Sequence, residues 1–180
     1  MKIIGIIPAR GGSKGIPQKN IRKISGKPLI QFSIESAKTS KLLDRVIVST
    51  DNSKIVQISK KCDAEIPFLR PKKISQDDSS LLEVIKHCLE YLSENESYKP
   101  DIITILQPTS PFRTSKMIDD SIKLLKKTNA TSVISVSTKR HHPYRSFSIT
   151  KKFLKPFKSD FERYYQRQKL PKIYYPTGSV

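Results

Sequence analysis

Tryptophan is absent, and the 180 residues include only two cysteines, two methionines and six glycines. Cys62 and Cys88 stand alone, without CxxC spacing. A disulfide framework and a cysteine zinc site are thereby excluded, and a reducing, cytoplasmic compartment is the expectation. Long apolar runs are also missing. None approaches the roughly 18–20 residues of a membrane span. The N-terminal run, Ile3 to Pro8, has six residues and no small-residue cleavage pattern, so it reads as a first strand and not as a signal peptide. Acidic residues are scarce: 16 Asp and Glu face 34 Lys and Arg, a net charge of +18.

The excess is uneven. Residues 1–50 carry 10 basic and 2 acidic residues, residues 51–137 carry 13 and 12, and residues 138–180 carry 11 and 2. Two basic blocks thus flank a nearly neutral middle. On charge alone, a solvated lysine-rich surface and a polyanion-binding protein both stay open. A nucleic-acid reading finds no supporting motif and no basic helix stripe.

Strand and helix patterns alternate along the chain. Ile3–Pro8 is a continuous apolar run, as for a strand buried on both faces. From Pro28 to Ala37 the spacing of Leu29, Ile30, Ile34 and Ala37 predicts a helix opened by proline. Arg45–Thr50 predicts a second strand, Asn52–Lys61 a helix, and Ala64–Phe68 a short strand. Ser79–Ser93 carries an apolar stripe of Leu81, Leu82, Val84, Ile85, Cys88, Leu89 and Leu92, which predicts a longer helix. Asp101–Leu106 predicts a third strand, Ser115–Lys127 a helix and Thr131–Ser137 a fourth strand. Single helices between strands imply one α/β domain over residues 1–180 with a parallel sheet. After Thr138 the rhythm breaks into an irregular, aromatic-rich stretch over 138–170 with short antiparallel strands.

The loop after the first strand reads Pro8-Ala9-Arg10-Gly11-Gly12-Ser13-Lys14-Gly15. Ligand crevices in open parallel sheets lie outside the carboxyl ends of the strands. Glycines there let backbone N–H groups approach an anion, and Arg10 and Lys14 add cationic charge. The pattern fits a polyphosphate cradle, although it is neither GxxxxGK[ST] nor GxGxxG. Asp51, at the end of the second strand, either orients this loop, helps hold a metal, or caps the following helix. Ser79 reads as a helix cap. Gln107, at the end of the third strand, offers a donor and an acceptor suited to a nucleobase edge. Arg113 either pairs with an anion or holds the following helix. His141 and His142 are adjacent and point to opposite faces of an extended chain, which disfavours one shared metal.

The run IIPARGGSKGIPQKNI followed by GKPLI resembles the opening of the acylneuraminate cytidylyltransferase family. DRVIVSTD, AEIPFLRP, LQPTSPFR, SVS…HHPY and RQKLP follow in the family's order across nearly the whole chain. The resemblance implies a Rossmann-like nucleotide-diphospho-sugar transferase fold, mostly parallel, with helices on both faces and a C-terminal dimerisation elaboration. It implies transfer of CMP from CTP to the anomeric hydroxyl of a sialic-acid-like nonulosonic acid, with release of pyrophosphate, and a homodimer. Arg10 and Lys14 would act catalytically. Ala9, Arg10, Gly11, Gly12, Ser13, Lys14, Asn20, Arg70, Ser79, Gln107 and Thr109 would bind the nucleotide. Gln107, Ser110, Lys139, Arg167 and Gln168 would bind the sugar, where Arg–carboxylate pairing suits a 2-keto acid.

The reaction calls for Mg²⁺ on the triphosphate. Gln107-Pro108-Thr109-Ser110 supplies no carboxylate after the third strand. The resemblance puts the acidic ligand beyond an Asn-Gly segment, which corresponds here to Thr177-Gly178, close to the last residue. The expectation is therefore a C-terminally shortened family member with its metal ligand unassigned. The alternatives are an inactive CTP-binding remnant and a basic nucleic-acid-binding protein.

Overall fold

β1 (Ile3–Pro8) is buried over its first five residues and forms the centre of a parallel sheet. β4 (Arg45–Ser49) and β5 (Ile102–Ile105) flank it in the order β4-β1-β5, with Gly5 opposite both Val46 and Thr104. The computed structural model describes residues 1–13, 15–138, 142–158, 160 and 166–180. They fall into two compact units, Met1–Ser135 with Gly178–Val180, and Val136–Thr177. The irregular stretch expected over 138–170 lies within the second unit's bounds.

Alternation along the strands divides the first unit's core. Ile3 and Ile7 of β1, with Val46 and Val48, face α1 (Leu29–Lys38), α2 (Ser53–Lys61) and α4 (Ser115–Lys127), through Ile30 and Ile34, Ile55, and Ile118 and Ile122. Ile4, Ile6 and Ile47 face the opposite way, onto Ile85, Cys88 and Leu92 of α3 (Leu81–Glu96). Helices therefore cover both faces, which explains the unbroken aliphatic run. Each fully buried isoleucine contributes about 1.5–3 kcal/mol relative to exposure. Cys88 sits at the centre of one layer, and burial pushes its thiol up to about 12.

Helix starts are set by side chains. Asn52 caps α2 by accepting from Lys54 N at 2.9 Å and Ile55 N at 3.2 Å. Thr114 caps α4 through Met117 N at 3.2 Å. Ser80 and Glu83 form a reciprocal capping box on α3, at 3.1 and 2.9 Å. Ser80, and not Ser79, is thus the cap. The cap of α2 likewise belongs to Asn52 and not to Asp51.

Two expected strands shrink. Ala64–Phe68 provides a single parallel bridge, Ile47 to Glu65. Pro67 has no N–H with which to extend it. Thr131–Ser137 does not join the parallel sheet. Ser135 N instead donates to Val180 O at 3.1 Å, and its hydroxyl accepts from Ser179 N and Val180 N at 3.1 and 3.0 Å. A serine hydroxyl offers the backbone an alternative to a ladder. Only β6 (Val136–Ser137) remains, antiparallel to β9 (Tyr175–Pro176) in the second unit.

The second unit also holds an antiparallel hairpin, β7 (Phe147–Thr150) with β8 (Phe153–Pro156), turned at Lys151 with φ 57°. Every residue of both strands is exposed. A short hairpin, β2 (Lys23–Ile24) with β3 (Lys27–Pro28), leads into α1 of the first unit.

Candidate active site

A cleft of about 280 Å³ opens beside Pro8 and Gln107, at the carboxyl ends of β1 and β5. Arg10, Ser13, Lys19, Asn20, Arg70, Ser79, Gln107 and Thr109 all line it. The strand-end loops were legible as a site because parallel strands deliver them to one edge.

The glycine loop begins where the β1 ladder ends. Ala9 is fully buried, its N–H donates to Ser49 O at 2.9 Å, and it is not among the cleft-lining residues. Gly11 N donates to Asp51 Oδ1 at 2.8 Å. A Cβ on Gly11 would lie 2.6 Å from Asn52 Nδ2, which explains glycine at this position. Around Gly12 and Gly15 there is open space. Asn20 is buried and donates from Nδ2 to Arg10 O at 2.9 Å. Lys14, the other expected catalytic cation, lies outside the described residues.

The arginines at this end differ in their partners. Arg10 donates to Gln76 O at 2.6 Å and pairs with Asp77 Oδ1 at 2.6 Å. Arg70 is 5% exposed, donates to Ser49 O at 3.1 Å, and leaves Nε without a partner. Burial lowers its pKa against the pull of Asp51, with Arg10 adding repulsion. Arg113 is 4% exposed and reaches Ser33 Oγ at 3.1 Å, Gln107 O at 2.7 Å and the carbonyl of Ser179. Burial pulls it down to about 10. It stands outside the cleft lining and holds a strand end, α1 and the Gly178–Val180 segment together, where the sequence suggested an anion pair or a hold on the following helix.

Gln107 is half-buried with its backbone carbonyl fixed by Arg113, which leaves the side-chain amide for a ligand. Thr109 is exposed on the cleft. The Ser110 hydroxyl donates to Gly178 O at 3.2 Å and is not among the cleft-lining groups. Ser79 lines the cleft and stitches its own loop, accepting from Gln76 N at 2.9 Å.

The expected sugar-binding residues have a different distribution. Lys139, Arg140 and His141 lie outside the described residues. Arg167 and Gln168 belong to the 3-10 turn Arg167–Lys169 of the second unit. His142, also there, accepts from Tyr144 N at Nδ1 and so donates from Nε2 to Pro171 O at 3.0 Å. Both ring nitrogens are thereby engaged, and the imidazole shapes the turn Pro143–Arg145.

Sequence reasoning missed Gln76 and Asp77, which close onto Arg10, and Ile74, Leu81 and Val84, which give the cleft its apolar wall. An acidic Asp77-Asp78 pair among serines carries no pattern that predicts contact with Arg10. Among the described residues no group of three or more His, Cys, Asp or Glu side chains is arranged to hold a metal ion.

A three-layer α/β unit with a glycine loop and cations at the carboxyl ends of its strands defines a nucleotide-binding protein. The chain belongs to the cytidylyltransferase family, whose model matches residues 4–177. It is 34% identical to a pseudaminic acid cytidylyltransferase of Campylobacter jejuni, over 99% of this chain and 77% of that protein. It is also 34% identical to an N-acylneuraminate cytidylyltransferase of Escherichia coli, over 99% of this chain but only 41% of the other. Among solved structures it resembles a CMP:2-keto-3-deoxy-manno-octonic acid synthetase complexed with CTP, with a TM-score of 0.59 and 24% identity over 77% of this chain and 52% of that one. That likeness confirms the Rossmann-like fold.

Proposed function

We propose that this chain transfers CMP from CTP to the anomeric hydroxyl of a nonulosonic acid and releases pyrophosphate. The observation that carries the proposal is Arg70. A buried guanidinium with an unpartnered Nε lines the same cleft as Arg10 and Gln107. Such a group demands an anion. The two relatives named above act on sugar acids of this class.

In this reading Arg10, Lys14, Ser13 and the loop amides hold the triphosphate, and Arg70 faces it from the β4 side. Gln107 and Thr109 meet the base, and Asn20 supports the loop. Attack on the α-phosphorus builds charge on the leaving pyrophosphate, which fixed cations stabilise. Lys139, Arg167 and Gln168 are assigned to the sugar, with Ser110 supporting the Gln107 loop. Mg²⁺ would arrive with the triphosphate, since it is commonly held by substrate phosphates with few carboxylates. The described residues assemble no dedicated cage for it, and no step is derived through it.

Two further assignments accompany this reading. The hairpin presents Ile149, Phe153 and Leu154 at 77, 73 and 67% exposure, which supports a homodimer through this unit. Light scattering on Ile149→Lys should then report monomer where the wild type reports dimer. Two free cysteines, and no helix among the described residues long and apolar enough to cross a membrane, are compatible with a cytoplasmic enzyme.

The decisive experiment incubates the protein with CTP, Mg²⁺ and N-acetylneuraminate, legionaminate or pseudaminate, and measures pyrophosphate. Release with one of these sugars is expected, and Lys14→Ala should lose most of it with little change in stability. CTP-dependent thermal stabilisation without release from any sugar would reduce the reading to nucleotide binding. Salt-sensitive oligonucleotide retention without a CTP response would overturn it.

A further inference from the structure

One peptide plane in the glycine loop is held at both ends by side chains from separate elements. The carbonyl of Arg10 accepts from Asn20 Nδ2 at 2.9 Å. The N–H of Gly11, on the same plane, donates to Asp51 Oδ1 at 2.8 Å. Asn20 comes from the 3-10 turn Lys19–Ile21, and Asp51 follows β4. A peptide plane is rigid, so fixing its two polar ends fixes the torsions on either side of it. Those torsions aim the Arg10 side chain and the following N–H groups of Gly12 and Ser13.

The surroundings do not provide this order by themselves. Gly12 meets nothing within 4 Å of a notional Cβ, so sterics leave the following segment free. Behind the plane, Asn52 closes on Gly11, in a crevice with no space of water size. The residues on either side of Asp51 are tied down: Thr50 Oγ1 accepts from Asn52 N at 3.2 Å, and Asn52 caps α2.

We propose that Asp51 and Asn20 are positioning residues that clamp the Arg10–Gly11 peptide and thereby pre-aim the loop at the triphosphate. Neither needs to touch the reacting atoms. The proposal deepens the nucleotidyl-transfer reading and rests on its assignment of the loop to phosphate. The Asp51 carboxylate accepts from the Gly11 N–H, a charge-assisted bond that is stronger than one from a neutral acceptor.

The test is calorimetric titration of the full chain with CTP, CMP and inorganic triphosphate, alongside thermal melts. Asp51→Ala should weaken CTP and triphosphate roughly 10–100-fold, the loss expected for one charge-assisted hydrogen bond. CMP should weaken by less than about threefold, because most of its contacts lie elsewhere in the cleft. Asp51→Asn should recover most of the binding, since its amide oxygen still accepts from Gly11. Asn20→Ala provides the same test from the other end of the plane and serves if Asp51→Ala does not fold. Equal losses for CMP and triphosphate, or no rescue by Asp51→Asn, would overturn the proposal. So would unchanged triphosphate binding in Asp51→Ala and Asn20→Ala. Wild-type binding of triphosphate without preference for CTP over UTP, with the selective mutant loss intact, would sink cytidylyl transfer and leave the clamp standing.

Discussion

The two ends of the same parallel sheet treat arginine in opposite ways. At the amino end, Arg45 pairs with Glu65 at 2.5 Å and Glu96 at 2.7 Å and stacks over the Tyr98 ring at 4.7 Å. The Glu65 hydrogen bond, with support from Glu96, raises its pKa against burial. At the carboxyl end Arg70 is more deeply buried, its pKa is lowered by that burial, and no carboxylate among the described residues hydrogen-bonds to it. One arginine serves the fold. The other is a standing cost to the fold that an anionic ligand would offset.

The largest effect should come from exchanging that cost for packing. Arg70→Met should weaken CTP at least about 100-fold while shifting stability by less than about 1 kcal/mol in urea unfolding. Ser49 O, which Arg70 serves, also accepts from Ala9 N, so it is not orphaned. Arg45→Met should do the reverse. It strips a partner from two half-exposed carboxylates and an aromatic ring, costing about 1–2 kcal/mol, with CTP affinity unchanged. If both substitutions cost stability and neither alters CTP binding, the two ends are alike and the contrast fails.

The sequence exposed one side of this contrast better than the other. Periodicity found β1, β4, β5 and the four helices, because buried parallel strands and amphipathic helices are written in local pattern. It overextended Thr131–Ser137, where the Ser135 hydroxyl pairs with residues 44 and 45 positions away in place of a ladder. The convergence of strand-end loops pointed to Gly11 and Gln107, whereas Arg70 came only from the family resemblance. Periodicity left Asp51 undecided between cap, loop and metal, since the cap depends on Asn52 taking that place one residue later. The Arg45–Glu65–Glu96 network was invisible, because those residues are far apart in the chain and no local rule joins them.

Asp119 sharpens the comparison, because it shows that a buried charge without a hydrogen-bonded counter-charge is not by itself a functional mark. It is 8% exposed, and its carboxylate accepts from Ser40 Oγ at 2.5 Å and from Lys41 N and Leu42 N at 3.1 and 3.3 Å. Burial opposes its ionisation, but those donors outweigh it and hold the carboxyl below its ordinary pKa. A group depressed in this way stabilises the fold above its unfolded value, about pH 3.9. That contribution fades as pH falls through the lower folded value. Asp119→Asn should cost about 1–2 kcal/mol above pH 5 by urea unfolding, and the gap to wild type should close in acid below pH 4. A gap that stays constant down to pH 2 would mean the carboxylate charge contributes nothing to that joint.

The smallest effect concerns Arg10, which sits between the two patterns because it has a carboxylate in a cleft that should receive an anion. Asp77 Oδ1 and Gln76 O each lie 2.6 Å from its guanidinium. A triphosphate held by Arg10, as proposed, would need those same N–H groups, so nucleotide entry would exchange one anion for another. Both partners are about one-third exposed, which keeps the pair within the range of surface ion pairs, about 0.2–1 kcal/mol. Asp77→Asn should therefore tighten CTP by about two- to fivefold, and the gain should shrink as added salt screens the lost charge. Weaker CTP binding in Asp77→Asn would make Asp77 a support of the bound state. Arg10 would then follow the pattern of Arg45, with its carboxylate retained when the ligand is bound.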